Sequence, residues 1–92
     1  MKDETLVFRI KFGLRIKQLR NRNKIDQASL AAHLNKDKQF INRYENAGAN
    51  PRADIVQAIA KALNLEKIDE LYNFNDLDPT EIKSIFEKLI KS

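Results

Sequence analysis

Apolar residues recur along the chain at steps of three and four positions, the spacing of one face of an α-helix. In the first segment this spacing is formed by Phe8, Phe12, Ile16 and Leu19. The chain has only two glycines and two prolines, and the alternation typical of strands is absent. The pattern therefore predicts an all-α protein whose first helix opens after Thr5 as N-cap and runs to about residue 23.

Capping residues place the next two helices. Asp26 can accept hydrogen bonds from the first turn of a second helix over residues 27–34, and Asp37 can do so for a third over residues 38–45. Between them, Asn35 tolerates the left-handed backbone that a sharp turn requires. Ile41 and Tyr44 are predicted to form the inward face of the third helix.

Two further helices follow residues 46–51, which form a loop by their Asn, Gly and Pro content. A fourth helix is predicted over residues 53–63, and a short fifth over residues 68–72 brings in Leu71. The predicted buried residues of the fourth helix are Ile55, Ile59, Ala62 and Leu63.

The last segment has the clearest start signal. Asp78 can cap a helix, Pro79 suits its first position and Glu81 its third. An apolar stripe follows at helical spacing, formed by Ile82, Ile85, Phe86, Leu89 and Ile90. The predicted organisation is one domain, 1–92, with a helical core over residues 6–72, a linker over residues 73–78 and a C-terminal helix over residues 79–91.

Charge divides the chain into a basic half and a mildly acidic half. The net charge of +4 arises from +5 in residues 1–23, +2 in residues 24–52 and −3 in residues 53–92. A basic surface attracts a polyanion through counterion release and long-range steering. A solvated protein surface shows the same pattern, so charge alone leaves nucleic-acid binding as one of two alternatives.

Composition narrows the classes of site. The chain has no cysteine, which excludes disulfides and thiolate chemistry, and its single histidine, His33, lies off the apolar face of the second helix. No glycine-rich phosphate loop, nucleophile motif or metal-ligand spacing appears. We therefore expect no cofactor, metal site or catalytic residue, and an enzyme is disfavoured. Apolar runs are too short to span a membrane, so no membrane partner and a cytoplasmic location are expected.

Two short helices joined by a tight turn form a helix-turn-helix when the second presents polar side chains outward, as residues 27–44 do. Ordered motifs surround this pair: Phe12-Gly13-Leu14-Arg15-Ile16, Leu19-Arg20, Asp26-Gln27, Leu30-Ala31, Ile41-Asn42-Arg43-Tyr44-Glu45-Asn46, Asn50-Pro51 and Ile59-Ala60-Lys61-Ala62-Leu63. Over these residues the chain resembles the Cro/lambda-repressor-like (XRE-like) helix-turn-helix family.

The resemblance implies a five-helix DNA-binding core with an additional C-terminal helix, acting as a sequence-specific regulator on double-stranded DNA. It places Lys38, Gln39 and Arg43 against base edges, with Asn42 as a further candidate. Lys and Arg can pair with guanine, and Gln with adenine. Phe40 can pack on a thymine methyl group, or it can cover a neighbouring helix.

Other positions carry phosphate contacts or structure in the family. The resemblance assigns Gln27, at a helix start, to phosphate. Further phosphate candidates are Lys36, Arg22, Asn46 and Arg52. Arg20 and Glu45 match a structural pair that bridges the first and third helices.

The chain departs from the family pattern at four places. Asn35 replaces the turn glycine, and Phe40 occupies an outward position usually held by a small polar residue. Ala47 stands where glycine is usual, with Gly48 one position later, and Arg52 replaces the Ser/Thr cap of the fourth helix. The path of the loop after the third helix and the capping of the fourth are the features that these departures put in question.

A second apolar stripe, formed by Val7, Ile10 and Leu14, lies on the first helix outside the family core. It can pack on the C-terminal stripe within one chain, or the two stripes can form a two-fold interface. We favour a homodimer, because dimers of this class place two reading helices about one DNA turn apart.

The favoured interpretation is a prokaryotic or phage repressor or autoregulator, located at the nucleoid when bound to DNA. The alternative is a protein-binding module on the same fold, such as an antitoxin-like or controller-type partner of an unknown protein. The alternatives differ in whether Lys38, Gln39 and Arg43 are needed for activity.

Overall fold

The computed structural model describes residues 3–91, and its regular structure within this range is helical. The α-helices are α1 (Asp3–Arg22), α2 (Gln27–His33), α3 (Lys38–Ala47), α4 (Ala53–Ala62) and α5 (Pro79–Ile90). A short 3₁₀ helix, Ile68–Tyr72, lies between α4 and α5. The all-α class is confirmed, and the fifth helix of the predicted core is this 3₁₀ segment.

Side-chain caps begin three of the helices at the predicted residues. Asp26 accepts a hydrogen bond from the Ser29 amide (2.7 Å), Asp37 from the Phe40 amide (3.1 Å) and Asp78 from the Thr80 amide (2.9 Å). Arg52 precedes α4 without a side-chain capping bond, since its guanidinium offers no acceptor.

The predicted start of the first helix was wrong, because Thr5 lies inside α1. Asp3 and Glu4 occupy the first turn, where negative charge favours the positive end of the helix dipole. The third helix is two residues longer than predicted and ends at Gly48, whose φ of 63° is left-handed. Gly48 lies one position after the family's usual glycine, so the end of α3 lies farther toward the C-terminus.

Left-handed residues also end other helices. Asn35 has a φ of 58°, which confirms the predicted turn, and Lys24 and Asn64 have φ values of 56° and 57° after α1 and α4. At Asn35 the Lys36 amide donates to the Ala31 carbonyl at 2.9 Å, so the turn between α2 and α3 satisfies a carbonyl at the end of α2.

One apolar core joins α1, α2, α3, α4 and the 3₁₀ helix. Its fully covered members include Phe12, Ile16, Leu30, Ala31, Ile41, Ile59 and Leu71. Burial was predicted wrongly for three residues: Phe8 is 41% exposed, and Ile55 and Ala62 on α4 are only partly buried. The buried residues of α4 are Val56, Ile59 and Ala60, of which only Ile59 was predicted. Asp54, Gln57 and Lys61 mark the outward side of α4, but the remaining side is apolar over a wide arc, and spacing alone did not rank its residues by burial.

The two helices α1 and α3 cross with very little space between them. A Cβ added to Gly13 would lie 1.7 Å from the backbone oxygen of Tyr44, so only glycine permits this approach. Farther along α1, the Arg15 Nε donates to the Glu70 carbonyl at 2.7 Å and holds the 3₁₀ helix. Burial lowers the pKa of the Arg15 guanidinium.

On another side of α1, α5 packs in the antiparallel direction. Lys17 Nζ lies 3.6 Å from Glu81 at the start of α5, while Phe86 lines a groove together with Val7 farther back on α1. The second apolar stripe of α1 is buried here, with Ile10 and Leu14 almost inaccessible. The two stripes therefore face each other within one chain, although α5 itself contains no fully buried residue.

Candidate nucleic-acid interface

Helix α3 packs against the rest of the protein on one side and is exposed to solvent on the other. Ile41, Tyr44 and Glu45 are its buried residues. Lys38, Gln39 and Arg43 are exposed, and the candidate base-reading residue Asn42 is half-buried. The structure thus places three of the predicted base-reading side chains on an accessible helix surface and gives Asn42 less reach.

Phe40 occupies the edge of this exposed surface. Its ring packs edge-on against Tyr44, with 5.5 Å between centroids, and it contacts the core while remaining half-buried. Lys36 Nζ and Arg43 Cζ lie 5.2 and 5.9 Å from the ring centroid, within cation–π range. Phe40 therefore covers its own helix bundle, and it also holds two cations near the exposed surface.

A buried ion pair fixes α3 to α1. Arg20 Nε donates to Glu45 Oε2 at 2.9 Å, and Arg20 Nη2 donates to Oε1 at 3.0 Å, a bidentate pair. The two side chains are 11% and 1% exposed. The hydrogen bond with Glu45 raises the pKa of Arg20. A carboxylate behind the exposed surface is thereby neutralised, which limits its repulsion of phosphate.

Gln27, the predicted phosphate contact, joins this pair. Its Nε2 donates to Glu45 Oε1 at 3.0 Å, so the start of α2 is attached to α3 by a side-chain bond. The amide has a second N–H, which this bond does not use. Gln27 is half-buried. The bond to Glu45 fixes the orientation of the side-chain amide, so the second N–H can donate to a phosphate only in the direction that this orientation allows.

The other phosphate candidates divide into two groups. Lys36 and Arg52 are exposed and lie before and after α3 in sequence, and Asn46 is exposed in the last turn of α3. Arg22 lies elsewhere: its Nη2 is 3.9 Å from Asp76, in the segment before α5. Because residues 20 and 22 project about 200° apart around a helix, Arg20 reaches α3 and Arg22 does not. Arg22 therefore lies away from α3, and its contact with phosphate stays a prediction.

The start of α2 brings a further charge close to the interface. Hydrogen bonds from Ser29 lower the pKa of Asp26, and the positive charge of Lys38 acts in the same direction. His33 is exposed, and its Nδ1 lies 2.8 Å from the Ser29 carbonyl at the opposite end of α2. Asp26 thus caps α2 as an ionised side chain beside a candidate base-reading lysine.

Sequence reasoning missed two of these arrangements. The bond from Gln27 to Glu45 and the burial of Arg15 under the 3₁₀ helix both join residues far apart in sequence. The sequence shows that these residues are polar, but it does not show which distant residue each side chain contacts. For the burial of Arg15, the only indication in the sequence was its place in the family motif of the first helix.

Other kinds of site find no support in residues 3–91. This part of the chain contains no cluster of three or more acidic or histidine side chains able to hold a metal ion. None of the helices described for it combines the length and the apolar character that a membrane crossing requires.

A family model described as helix-turn-helix matches residues 16–71, which is more than half of the chain. The match extends from the middle of α1 to the 3₁₀ helix and includes α2 and α3 in full. No curated protein and no solved structure matches the chain.

Proposed function

The chain belongs to the Cro/lambda-repressor-like (XRE-like) helix-turn-helix family of DNA-binding regulators, and we propose that it is a sequence-specific transcriptional regulator whose α3 reads the major groove. One observation carries this proposal: α3 buries Ile41, Tyr44 and Glu45 and exposes a polar, basic surface on its other side. A helix held in this way fits the width of the major groove.

The exposed side chains have the chemistry for base reading. Arg43 and Lys38 can donate to guanine O6 and N7, and Gln39 can form a bidentate pair with adenine. Asn42 is a secondary reader because it is half-buried, and Phe40 contributes mainly by holding Lys36 and Arg43 near the groove.

The phosphate contacts are assigned to residues around α3. Gln27 donates its second amide N–H, and the proposed further donors are Lys36, Asn46 and Arg52. Such contacts set the register and affinity of the protein on DNA and carry no base code.

The proposed mode of action is repression or autoregulation by a homodimer. A regulator that occupies a promoter blocks transcription there without any further chemistry. Association of two copies raises affinity and specificity, since a single helix-turn-helix reads only a short site.

The alternative function, a protein-binding module, is favoured by a separate observation. Phe8 on α1 and Ile90 on α5 are 41% and 54% exposed, so apolar side chains are accessible to a partner protein. If protein binding were the main activity, alanine at Lys38, Gln39 and Arg43 together would leave that activity unchanged.

In-vitro selection of duplex DNA by the purified chain tests the DNA-binding proposal. The expected result is one enriched sequence, whose affinity falls steeply with salt concentration. The Lys38→Ala/Gln39→Ala/Arg43→Ala variant is expected to lose this preference. Its matched control, Lys17→Ala/Lys91→Ala, also removes two positive charges, but from the part of the molecule near α5, and it is expected to retain the preference.

Two outcomes would contradict the proposal. One is the recovery of no enriched sequence together with salt-independent binding. The other is equal loss of affinity in the triple variant and in the control, which would make net charge, and not α3, the source of binding.

A further inference from the structure

Phe40 is the third residue of α3, at a position where the family usually has a small polar side chain. Its amide donates to the Asp37 carboxylate at 3.1 Å, and its ring packs against Tyr44 with 5.5 Å between centroids. These two contacts fix both the backbone and the ring. The side chain is nevertheless only half-buried, so part of it stays accessible to a molecule that approaches α3.

Phe40 lies beside the candidate base-reading residue Arg43. Residues 40 and 43 are about 60° apart around an α-helix and about 4.5 Å apart along its axis. Arg43 is exposed, and its Cζ lies 5.9 Å from the centre of the Phe40 ring, within cation–π range. An apolar ring and a guanidinium group thus form one continuous surface on α3.

A second cation contacts the same ring. Lys36 Nζ lies 5.2 Å from the centre of the Phe40 ring, and Lys36 precedes α3 in the turn that follows α2. In the proposed function Lys36 donates to phosphate and Arg43 to a base. The ring is therefore shared by one side chain assigned to the DNA backbone and one assigned to the base pairs.

The major groove offers an apolar ring one kind of target. Among the groups that the base pairs present there, the 5-methyl group of thymine is apolar, whereas the others donate or accept hydrogen bonds. This methyl group lies on the outer edge of the base, beside the backbone of its own strand. 5-Methylcytosine carries the same group at the same place. A ring shared by a phosphate-binding and a base-reading side chain is placed to meet this edge.

The spacing of Phe40 and Arg43 matches two neighbouring base pairs. Successive bases of a strand are about 3.4 Å apart along the duplex, close to the rise of about 4.5 Å between residues 40 and 43. The first residues of a reading helix are the ones that contact base edges, and Phe40 belongs to them. When Arg43 donates to a guanine, the Phe40 ring reaches the base pair next to it.

We propose that Phe40 and Arg43 together read a 5-methylpyrimidine beside a guanine: Arg43 donates to the guanine, and the Phe40 ring packs on the methyl group of the neighbouring thymine or 5-methylcytosine. The inference rests on the proposed function, because it needs α3 in the major groove. It adds a base-pair step to what α3 recognises. It also makes affinity depend on cytosine methylation at this step, although no hydrogen bond is gained or lost.

Removal of the methyl group alone tests the contact. Each thymine of the selected duplex is replaced in turn by deoxyuridine, which lacks only the 5-methyl group, and the affinity of the wild-type protein is measured by fluorescence anisotropy. One replacement, next to the guanine at which Arg43→Ala relaxes preference, is expected to weaken binding about fourfold, the effect of one buried methyl group.

Cytosine at the same position distinguishes the two sources of the methyl group. The duplex with 5-methylcytosine is expected to bind about fourfold more tightly than the duplex with cytosine, since the two differ by the same methyl group. A response to thymine alone would restrict the proposal to unmodified DNA and overturn the predicted dependence on methylation.

The Phe40→Ser variant attributes the effect to the ring. Serine is a small polar residue of the kind usual at this position in the family, and the variant is expected to bind the thymine and deoxyuridine duplexes equally. Phe8→Ser, which replaces an exposed ring that stacks on Tyr72, is the matched control and keeps the fourfold difference. Circular dichroism verifies that both variants are folded. The comparison of duplexes uses the wild-type protein, so it decides the proposal even where a variant does not fold.

Three results would overturn the proposal. They are equal affinity of the wild type for all deoxyuridine duplexes, a methyl effect of the same size in Phe40→Ser, and a methyl-sensitive position away from the guanine read by Arg43. Recovery of no enriched sequence is a different failure, because it removes the proposed function together with the inference. An enriched sequence that is insensitive to methyl groups removes the inference alone.

Discussion

Helix α1 makes two contacts of opposite character. Against α3 it presents Gly13 and the buried Arg20, and the backbones approach so closely that no Cβ fits between them. Against α5 it presents apolar side chains and an ion pair, Lys17–Glu81, whose side chains are 40% and 44% exposed. The α3 contact is closed and specific, whereas the α5 contact leaves an open groove.

The difference separates two requirements of a DNA-reading domain. In the proposed function α3 must be held at a fixed angle to read bases, and the Gly13 crossing with the Arg20–Glu45 pair holds it in this way. An accessory helix needs only to cover Ile10 and Leu14, so half-buried packing is sufficient. Rigidity is concentrated on the side that carries α3.

The largest expected effect on stability comes from breaking the buried ion pair, and breaking the exposed ion pair is the comparison. Glu45→Ala leaves the Arg20 guanidinium buried without its carboxylate, and it should lower the free energy of unfolding by about 3–5 kcal/mol. Glu81→Ala, the matched change at the exposed pair, should cost about 0–1 kcal/mol. Urea denaturation measures both. Equal losses would show that the two contacts do not differ as described.

The next effect concerns the helix crossing. Gly13→Ala introduces a Cβ at 1.7 Å from the Tyr44 oxygen, so α1 and α3 must separate. We expect a loss of about 3 kcal/mol, as for overpacked cores. Lys11→Ala, on the opposite side of α1, should change stability by less than about 0.5 kcal/mol. Thermal unfolding of the two variants makes the comparison, and a stable Gly13→Ala protein would contradict the close crossing.

Substitutions on α3 and substitutions near α5 should also differ in their effect on DNA binding. Arg43→Ala, on exposed α3, should weaken binding to the selected sequence by about 1–3 kcal/mol and relax preference at one base pair. Arg22→Ala removes the same charged group near Asp76 and should affect all sequences little. Fluorescence anisotropy on the selected duplex and on single-base variants measures the affinity of both proteins. Equal losses of affinity would show that Arg22 also contacts DNA.

The smallest effect depends on pH. Hydrogen bonds from Ser29 lower the pKa of Asp26 in the folded chain, so this cap stabilises the fold above the unfolded-state pKa of about 3.9 and loses that contribution as pH falls through the folded pKa. Asp26→Asn keeps a capping acceptor without the charge. Compared with this variant in thermal unfolding, the wild type should lose relative stability below about pH 4. A constant difference from pH 7 to pH 3 would contradict the assignment.

Local features of the fold could be predicted, because their physical cause lies within a few residues. Asp26, Asp37 and Asp78 begin helices by accepting bonds from amides two or three residues away. Asn35 turns the chain at a single left-handed residue. The family resemblance supplied the long-range pair of Arg20 and Glu45, which no local rule identifies.

The features that escaped prediction depend on packing between distant segments. Val56 and Ala60 are buried on α4 because of where the neighbouring helices lie, whereas the polar residues of α4 mark only its outward side. Phe8 continued the spacing of the first helix, yet it lies on the surface against Tyr72. The side of α1 that α5 occupies likewise could not be read from either helix alone.

The one-sided burial of α3 has a consequence for evolution and engineering. Ile41, Tyr44 and Glu45 keep the helix in place, while residues 38, 39 and 43 extend into solvent. Surface substitutions usually change stability by less than about 0.5 kcal/mol, so new side chains at these three positions can be exchanged without repacking the protein. A library randomised there should yield folded proteins with altered operator preference, and the target of the regulator can diverge faster than its fold.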